Sequence, residues 1–317
     1  MAFYVVTGGA GFIGSHLVDA LLAAGQRVRV IDDLSTGRRA NLDPRAELVV
    51  GDAADAGLMR EALQGAAGCF HLAAIASVAR ANEDWLGTHR CNLGGTVAVL
   101  EAARDAGRVP VVYASSAAVY GDHGETRLHE GLPPQPLSAY GADKLGGELH
   151  ARVAFHVHGV PTLGLRFFNV YGPRQDPKSP YSGVISVFSA RIARAQQVVI
   201  NGDGRQTRDF IYVADVVEHL LAGMERVAAR PQASVFNACT GVATSVMGLA
   251  EMLGKIVGTV PRLGFAPPRS GDIRASLGSP SAARLALRVA MPTPLDQGLT
   301  RLLGAAPPPE RRSVMQA

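Results

Sequence analysis

The stretch SAYGADKLGGELH, residues 138–150, holds a tyrosine and a lysine four positions apart. On a helix, Tyr140 and Lys144 would lie one turn apart on the same face. Such a pair can move a proton. A free tyrosine, with a pKa of about 10, is a poor base at neutral pH, and a neighbouring ammonium favours its anion. The spacing alone also describes a solvated helix face, so the pair needs further groups before it means chemistry. Ser116 is one candidate. It ends the apolar run VPVVYASS, and ligands of open α/β sheets bind at the carboxyl ends of strands. A strand-end cap is the plain alternative, Ser115 is the local competitor, and Tyr120 reads as packing.

A second constellation suits a phosphate. VVTGGAGFIGSH places Gly8, Gly11 and Gly14 between an apolar run and a helical one. Glycines there permit a tight turn and let backbone N–H groups approach a pyrophosphate at a helix N-terminus. Asp32 ends the next apolar run, 18 residues after Gly14, a spacing that suits a carboxylate on the adenosine ribose. That carboxylate would repel a 2′-phosphate and so favours NAD over NADP. Arg38 and Arg39 argue the other way, but they lie beyond Gly37 and read as a solvated loop. Asp52 and Ala53 sit where an adenine edge could be read, and Asp52 is equally a turn residue.

The elements that must carry these groups are legible. FYVVTG, RVRVID, ELVVGD, CFHLAA, VPVVYASS and TLGLRFFN are unbroken apolar runs, as expected of parallel strands buried on both faces. Between the first two, Ile13, Leu17, Leu21 and Ala24 share a helix face that Gly25 ends. NLGGTVAVLEAARDAG is a second helix, ending at Gly107. The third begins at Ser138 as N-cap and is expected to bury a stripe of Leu145, Leu149 and Val153. Gly146 and Gly147 each cost about 1 kcal/mol of helix propensity and would admit a close neighbouring helix. The alternation implies an α/β fold, a doubly wound parallel sheet of Rossmann type. The expected division is a nucleotide-binding domain over 1–168, to which 206–230 returns, and a smaller C-terminal α/β substrate-binding region over 169–304. A disordered tail over 305–317 completes it.

Bulk properties exclude several classes. A formal net charge of +4, with Arg38–Arg39 and Arg311–Arg312 as the basic doublets, gives no basic stripe, so no nucleic-acid partner is expected. Cys69, Cys91 and Cys239 are too scattered for metal-ligand spacing or a disulfide framework. No run approaches a membrane span, and FYVV lacks the flanks of a signal peptide. A cytoplasmic protein is expected.

The chain resembles the extended short-chain dehydrogenase/reductases, specifically their nucleotide-sugar epimerases. The resemblance runs from Phe3 to about Ala283 through TGGAGFIGSH, DDLSTG, HLAA, YASSAAVYG, YGADK, LRFFNVYGPRQ, GDGRQTRDFIYVADV and PPRSGDIRASL, in that order. It implies bound NAD, a UDP-sugar substrate and a homodimer packed through two helices per subunit. It also implies catalysis by Ser116, Tyr140 and Lys144, with alignment on AVYG choosing Ser116 over Ser115. Along NAD it places Gly8, Gly11, Phe12, Ile13, Gly14, Asp32, Asp33, Gly37, Asp52, Ala53, Leu72, Ala73, Ala74, Asn92, Ala114 and Phe167, with Tyr140 and Lys144. His71 reads as structural.

Along the substrate the resemblance places Ser77, Ser116, Tyr140, Asn169, Val199, Asn201, Arg208, Arg269, Asp272 and Ser276. Arg208 and Arg269 match pyrophosphate-binding arginines, whose planar fork donates two parallel hydrogen bonds. An ion pair with Asp209 is the plain alternative for Arg208. The implied reaction is transient oxidation and re-reduction at carbon 4 of a UDP-hexose. Ser276 stands where those epimerases often carry a tyrosine that closes the pocket, so room for an N-acetyl group is expected. Ala117 and Ala118 cannot supply the extra acid and base of a dehydratase. Arg174 leaves a uronic-acid epimerase open, and a noncatalytic NAD sensor or an NADPH reductase are further alternatives. The chain departs from the family at GSPSAA, where Ser279 and Ala282 replace an acid and a lysine.

Overall fold

The computed structural model describes residues 3–176, 183–268 and 273–304. Arg269 and Asp272 lie outside the described residues, as does the tail from 305. In chain order the first half runs β1 (Phe3–Thr7), α1 (Phe12–Ala23), β2 (Arg27–Asp32), β3 (Glu47–Val50), α2 (Ala56–Leu63), β4 (Gly68–His71), α3 (Val78–Glu83), α4 (Trp85–His89), α5 (Gly95–Asp105), β5 (Val111–Ser116), α6 (Ala139–His158) and β6 (Thr162–Phe167). The second half runs β7 (Asn169–Tyr171), α7 (Val184–Ile192), β8 (Val198–Asn201), β9 (Thr207–Tyr212), α8 (Val213–Ala229), β10 (Ala233–Ala238), β11 (Ala243–Ser245), α9 (Val246–Val257), β12 (Leu263–Ala266), β13 (Ala275–Ser276), α10 (Ser281–Leu287) and α11 (Leu295–Gly304).

Seven strands form one parallel sheet in the order β3-β2-β1-β4-β5-β6-β10. One face packs on α1 and α8 through Leu17, Leu21, Val216 and Leu220. The other packs on α2, α5 and α6 through Met59, Leu63, Val99, Ala103 and Ala151. This is the expected doubly wound α/β sheet. The strand order reverses between β1 and β4, which opens a crevice at their carboxyl ends.

The six apolar runs are the first six strands of this sheet. The segment 206–230 divides. Its strand β9 pairs with β7, β11 and β13 in a separate small sheet, while its helix α8, with Ile211 of β9, packs on the large one. The returning strand is β10, whose sequence ASVFNA carries too many polar residues to read as a buried run. A β8–β12 pair completes the smaller region, and its core gathers Ile185, Phe188, Ile192, Ile200, Leu249 and Leu253.

Helix α6 overturns one expectation. Leu149 and Val153 are 54% and 51% exposed. The buried side of α6 is instead Gly141, Asp143, Lys144, Gly147, Glu148, Ala151 and Ala154. Small and polar groups face the sheet; Leu145 packs beside Tyr120 and Phe168, and Leu149 and Val153 are left outside. Gly146 and Gly147 do admit a close neighbour: a Cβ on them would meet Leu93 and Thr96 at 3.0 and 3.5 Å. That neighbour opens with a π turn, Arg90–Gly94, before α5. Among the described residues no helix is long and apolar enough to cross a membrane, and the three cysteines are free thiols.

Candidate active site

Strand β5 ends at Ser116, and a 3-10 turn, Ala117–Val119, follows. Ser116 Oγ accepts from the Ala118 N–H at 3.1 Å, so the serine does cap the strand end. Its hydroxyl also lies near the Tyr140 phenol and favours the ionised form of that phenol. Ser138 Oγ accepts from the Gly141 N–H at 3.1 Å and starts α6, which puts Tyr140 in the first turn and Lys144 in the next. Lys144 Nζ donates to the Ala114 carbonyl at 2.9 Å and lies 5.8 Å from the centre of the Tyr140 ring. This approach of helix to strand end needs Gly141, where a Cβ would come within 2.6 Å of the Ala118 carbonyl oxygen.

Burial pushes the Tyr140 phenol up, and the nearby Ser116 hydroxyl opposes that. Burial pulls Lys144 down to about 8, while Cys91 and Asp143 hold it up. The phenol therefore stays protonated until further positive charge is brought beside it.

Ser115, one residue earlier on the strand, points to the other face. Its hydroxyl donates to Glu148, which receives Arg166 through both oxygens at 2.8 and 2.7 Å. The Arg166 guanidinium stacks 4.7 Å from the Tyr120 ring, and the Tyr120 hydroxyl donates to Asn237. Tyr120 is thus a packed residue. This buried ion pair was not read from the sequence. Its signal is charge at inward positions of an amphipathic helix and an apolar strand.

The turn from β1 to α1 is closed by glycine. Gly8 has φ +68°, and a Cβ on Gly14 would meet the Gly8 carbonyl oxygen at 2.2 Å. The N-cap Gly11 has no side chain to cap with, and helix geometry leaves the N–H groups of Phe12, Ile13 and Gly14 without intrahelical acceptors. Asp32 is 7% exposed and accepts from the Ala10 and Leu34 N–H groups, both at 2.9 Å. Burial pushes its carboxyl up, and those two bonds oppose the shift. A Cβ on Gly37 would lie 2.6 Å from the Asp32 carboxylate, so glycine keeps that side open. A row of free N–H donors with a carboxylate at the next strand end fits a dinucleotide with an unphosphorylated ribose.

The remaining cofactor candidates line this crevice or brace it. The N–H groups of Leu72 and Ala73 reach the Thr7 hydroxyl at 3.2 Å, which pins the loop containing Ala74 to β1. Asn92 grips Ile75 through both its N–H and its carbonyl. Asp52 accepts from the Ala54 N–H in a turn beside buried Ala53, and Asp33 is engaged by Ser35. Phe167 ends β6 in register with Ser116. His71 bridges the Thr7 and Thr96 hydroxyls at 2.8 and 3.2 Å, and burial pulls it down to about 3, so it is a neutral structural residue. Arg38 pairs with Asp176.

The substrate candidates beyond Ser116 and Tyr140 spread over the smaller region, with Ser77 on the large-sheet side. Asn169 opens β7 and donates to the Asp209 carbonyl at 3.3 Å. Arg208 and Ser276 are register partners across β9 and β13, and Ser276 is 5% exposed. Arg208 Nη1 donates to the Thr207 carbonyl. The Asp209 carboxylate takes the Thr240 N–H and hydroxyl at 2.8 and 2.7 Å and the N–H groups of Gly241 and Gly278 at 2.8 and 3.3 Å. It therefore ties β9 to two distant loops, a role the sequence reading missed. An acid inside the apolar run TRDFIY is the signal that could have found it. Asn201 ends β8, its carbonyl held by Gln206, and Val199 on the same strand is 42% exposed. Ser77 caps α3 by accepting from the Arg80 N–H at 3.1 Å.

Comparison with known proteins places this geometry. A family profile described as the NAD dependent epimerase/dehydratase family matches residues 4–239. A UDP-glucose 4-epimerase of Mycolicibacterium smegmatis is 38% identical over 306 residues, 94% of this chain and 96% of that one. A UDP-glucose 4-epimerase from Thermotoga maritima, solved with UDP-glucose, superposes with a TM-score of 0.91 at 35% identity, covering 95% of this chain and 97% of that one. A UDP-N-acetylglucosamine 4-epimerase from Methanobrevibacter ruminantium M1, solved with UDP-N-acetylmuramic acid, gives 0.90 at 32% identity, covering 96% and 97%.

Proposed function

The chain belongs to the NAD-dependent epimerase/dehydratase family, and we propose that it inverts carbon 4 of a UDP-hexose, with Tyr140 as the acid and base. The observation that carries this reading is the convergence of Ser116, Tyr140 and Lys144 at the carboxyl end of β5. Tyr140 takes the proton of the 4-hydroxyl, Ser116 relays and orients it, and Lys144, together with the positive nicotinamide ring that bound NAD would add, supplies the charge that makes the phenol basic enough. NAD, when bound, would supply the hydride acceptor and donor at carbon 4, and inversion follows from the 4-keto sugar turning over in the pocket between the two transfers. Tyr140 then gives the proton back, so neither protons nor electrons change in sum. Gly8, Gly11 and Gly14 with the first turn of α1 would hold the pyrophosphate, and Asp32 the adenosine ribose. Arg208, together with Arg269, would hold the substrate's diphosphate. Val199, Asn201 and Asp272 are proposed for the uridine, and Ser77 and Asn169 for the sugar end.

Several observations favour this reading over its rivals. Ala117 and Ala118 occupy the 3-10 turn after Ser116 and carry no proton-transferring group. Arg174, the candidate for a uronic carboxylate, is engaged with Asp19 of α1 at 2.7 Å. Ser276 beside Arg208 leaves the pocket wall small, which supports UDP-GlcNAc and UDP-GalNAc as substrates beside UDP-glucose and UDP-galactose; the likeness to the Methanobrevibacter enzyme agrees. The exposed stripe of Leu149, Val153 and Val157 on α6, with Val97 on α5, supports a homodimer packed through these two helices in a cytoplasmic enzyme.

The test is to incubate purified protein with UDP-glucose and follow UDP-galactose by NMR. Wild type should reach equilibrium without added reductant. Tyr140→Phe should lose turnover by orders of magnitude and keep UDP affinity, and Ser116→Ala should lose about 10²–10⁴-fold. Near-normal turnover in Tyr140→Phe would refute the assignment.

A further inference from the structure

Immediately before the active-site lysine the chain carries Asp143, 95% shielded from solvent on the inner side of α6. Its Oδ1 meets His89 Nδ1, on α4, at 2.7 Å. Its Oδ2 is buried and has no hydrogen-bond partner among the described residues. The His89 side chain is 50% exposed. A buried carboxylate half-satisfied by a histidine that water can reach is costly to keep. The site gains a negative charge beside an ammonium that burial pulls down.

The groups around Lys144 leave Asp143 as its nearby carboxylate. On the same helix stand Tyr140 and, one turn on, Glu148, whose two oxygens are taken by Arg166 of β6 and by Ser115. The π turn brings Cys91, and β4 brings His71, which is neutral. Tyr113 of β5 is buried beside the Glu148–Arg166 pair. From α4 comes His89, and α3 offers Arg80 and Glu83 with exposed side chains. The 3-10 turn after β5 and strand β10 bring no charged residue.

We propose that His89 and Asp143 are a positioning pair for the active-site lysine: His89 holds the Asp143 carboxylate in place, and the carboxylate keeps Lys144 charged inside a closed site. The inference rests on the proton-relay reading above. In that relay a neutral Lys144 no longer favours the tyrosinate, so turnover falls on the alkaline side where the lysine discharges. Removing the Asp143 charge makes the lysine discharge at lower pH, by the one unit or so that a single close charge commonly contributes.

The experiment is the kcat–pH profile of the NAD-loaded enzyme with saturating UDP-glucose, for wild type, Asp143→Asn, Asp143→Ser and His89→Gln. The serine variant is the second neutral substitution, and circular dichroism with bound-NAD content establishes which variants fold. The neutral variants should move the alkaline limb down by about one pH unit. Half a unit above the wild-type midpoint that is about an eightfold loss, and two units below it turnover stays within about a tenth of wild type. His89→Gln, whose amide can donate the same bond, should keep the wild-type limb. An unmoved limb in a folded neutral variant, a loss uniform across pH, or a His89→Gln limb displaced as far as that of Asp143→Asn would each overturn the pair. Activity surviving in Tyr140→Phe would instead sink the relay reading itself, so the two failures are distinguishable.

Discussion

The proposed cofactor side of the crevice is built from backbone, and the proposed sugar side is built from side chains that reach between distant segments. On the first, Gly8, Gly14 and the start of α1 lie within one short turn, and the shape follows from what glycine permits there. On the second, Asp209 alone joins β9 to residues 240, 241 and 278. A site made of one turn tolerates little change in that turn and much elsewhere. A site made of remote clamps is distributed, and its pocket can be altered without disturbing the chemistry.

That contrast can be broken at its strongest point by Gly14→Val. A Cβ there has the Gly8 carbonyl at 2.2 Å, and backbone must shift to admit it. The expected result is protein purified without NAD and without activity; retention of NAD would show that the turn is softer than its geometry implies. Asp209→Asn tests the other side. The amide nitrogen cannot accept from the Gly241 and Gly278 N–H groups, so one or two buried donors lose their acceptor, at about 1–3 kcal/mol each. The midpoint of thermal unfolding should fall by several degrees and UDP affinity should weaken, while NAD stays bound.

Acid should act on the cofactor side first. His71 is held neutral in the fold, near 3 against 6.5 unfolded. Below pH 6.5 the unfolded chain binds a proton that the native histidine refuses, so stability declines as pH falls and reaches a loss of about 2 kcal/mol by pH 5. Denaturant unfolding of wild type and His71→Gln at pH 7.5 and 5 should show a shallower acid decline in the variant. The smallest expected effect on the chemistry is that of Ser276→Tyr. It should exclude acetylated sugars and largely spare UDP-glucose and UDP-galactose. Equal survival of both activities would show that Ser276 does not gate the pocket.

The same contrast explains what could be read beforehand. The glycine turn, Asp32 and the six apolar strands are local patterns, and each is legible within about two dozen residues. Strand β10 escaped because ASVFNA is apolar only where its neighbours are known. The stripe on α6 was assigned to the core because period alone does not say which face a helix buries; here the polar face is the buried one. Asp209 was weighed only against its neighbour Arg208, although adjacent strand residues face opposite sides. Asp143 passed unnoticed inside YGADK, since its partner His89 lies 54 residues earlier.

Helix α6 has one further consequence. Its inner face carries Tyr140 and Lys144, and its outer face is the stripe proposed to meet a second subunit. In the proposed dimer, association and the placement of the proposed proton relay are linked through one rigid rod, and mass action enters the kinetics. Specific activity should be constant at working concentrations and decline on dilution past the dissociation constant of the dimer, with substrate or cofactor analogues pulling the subunits back together.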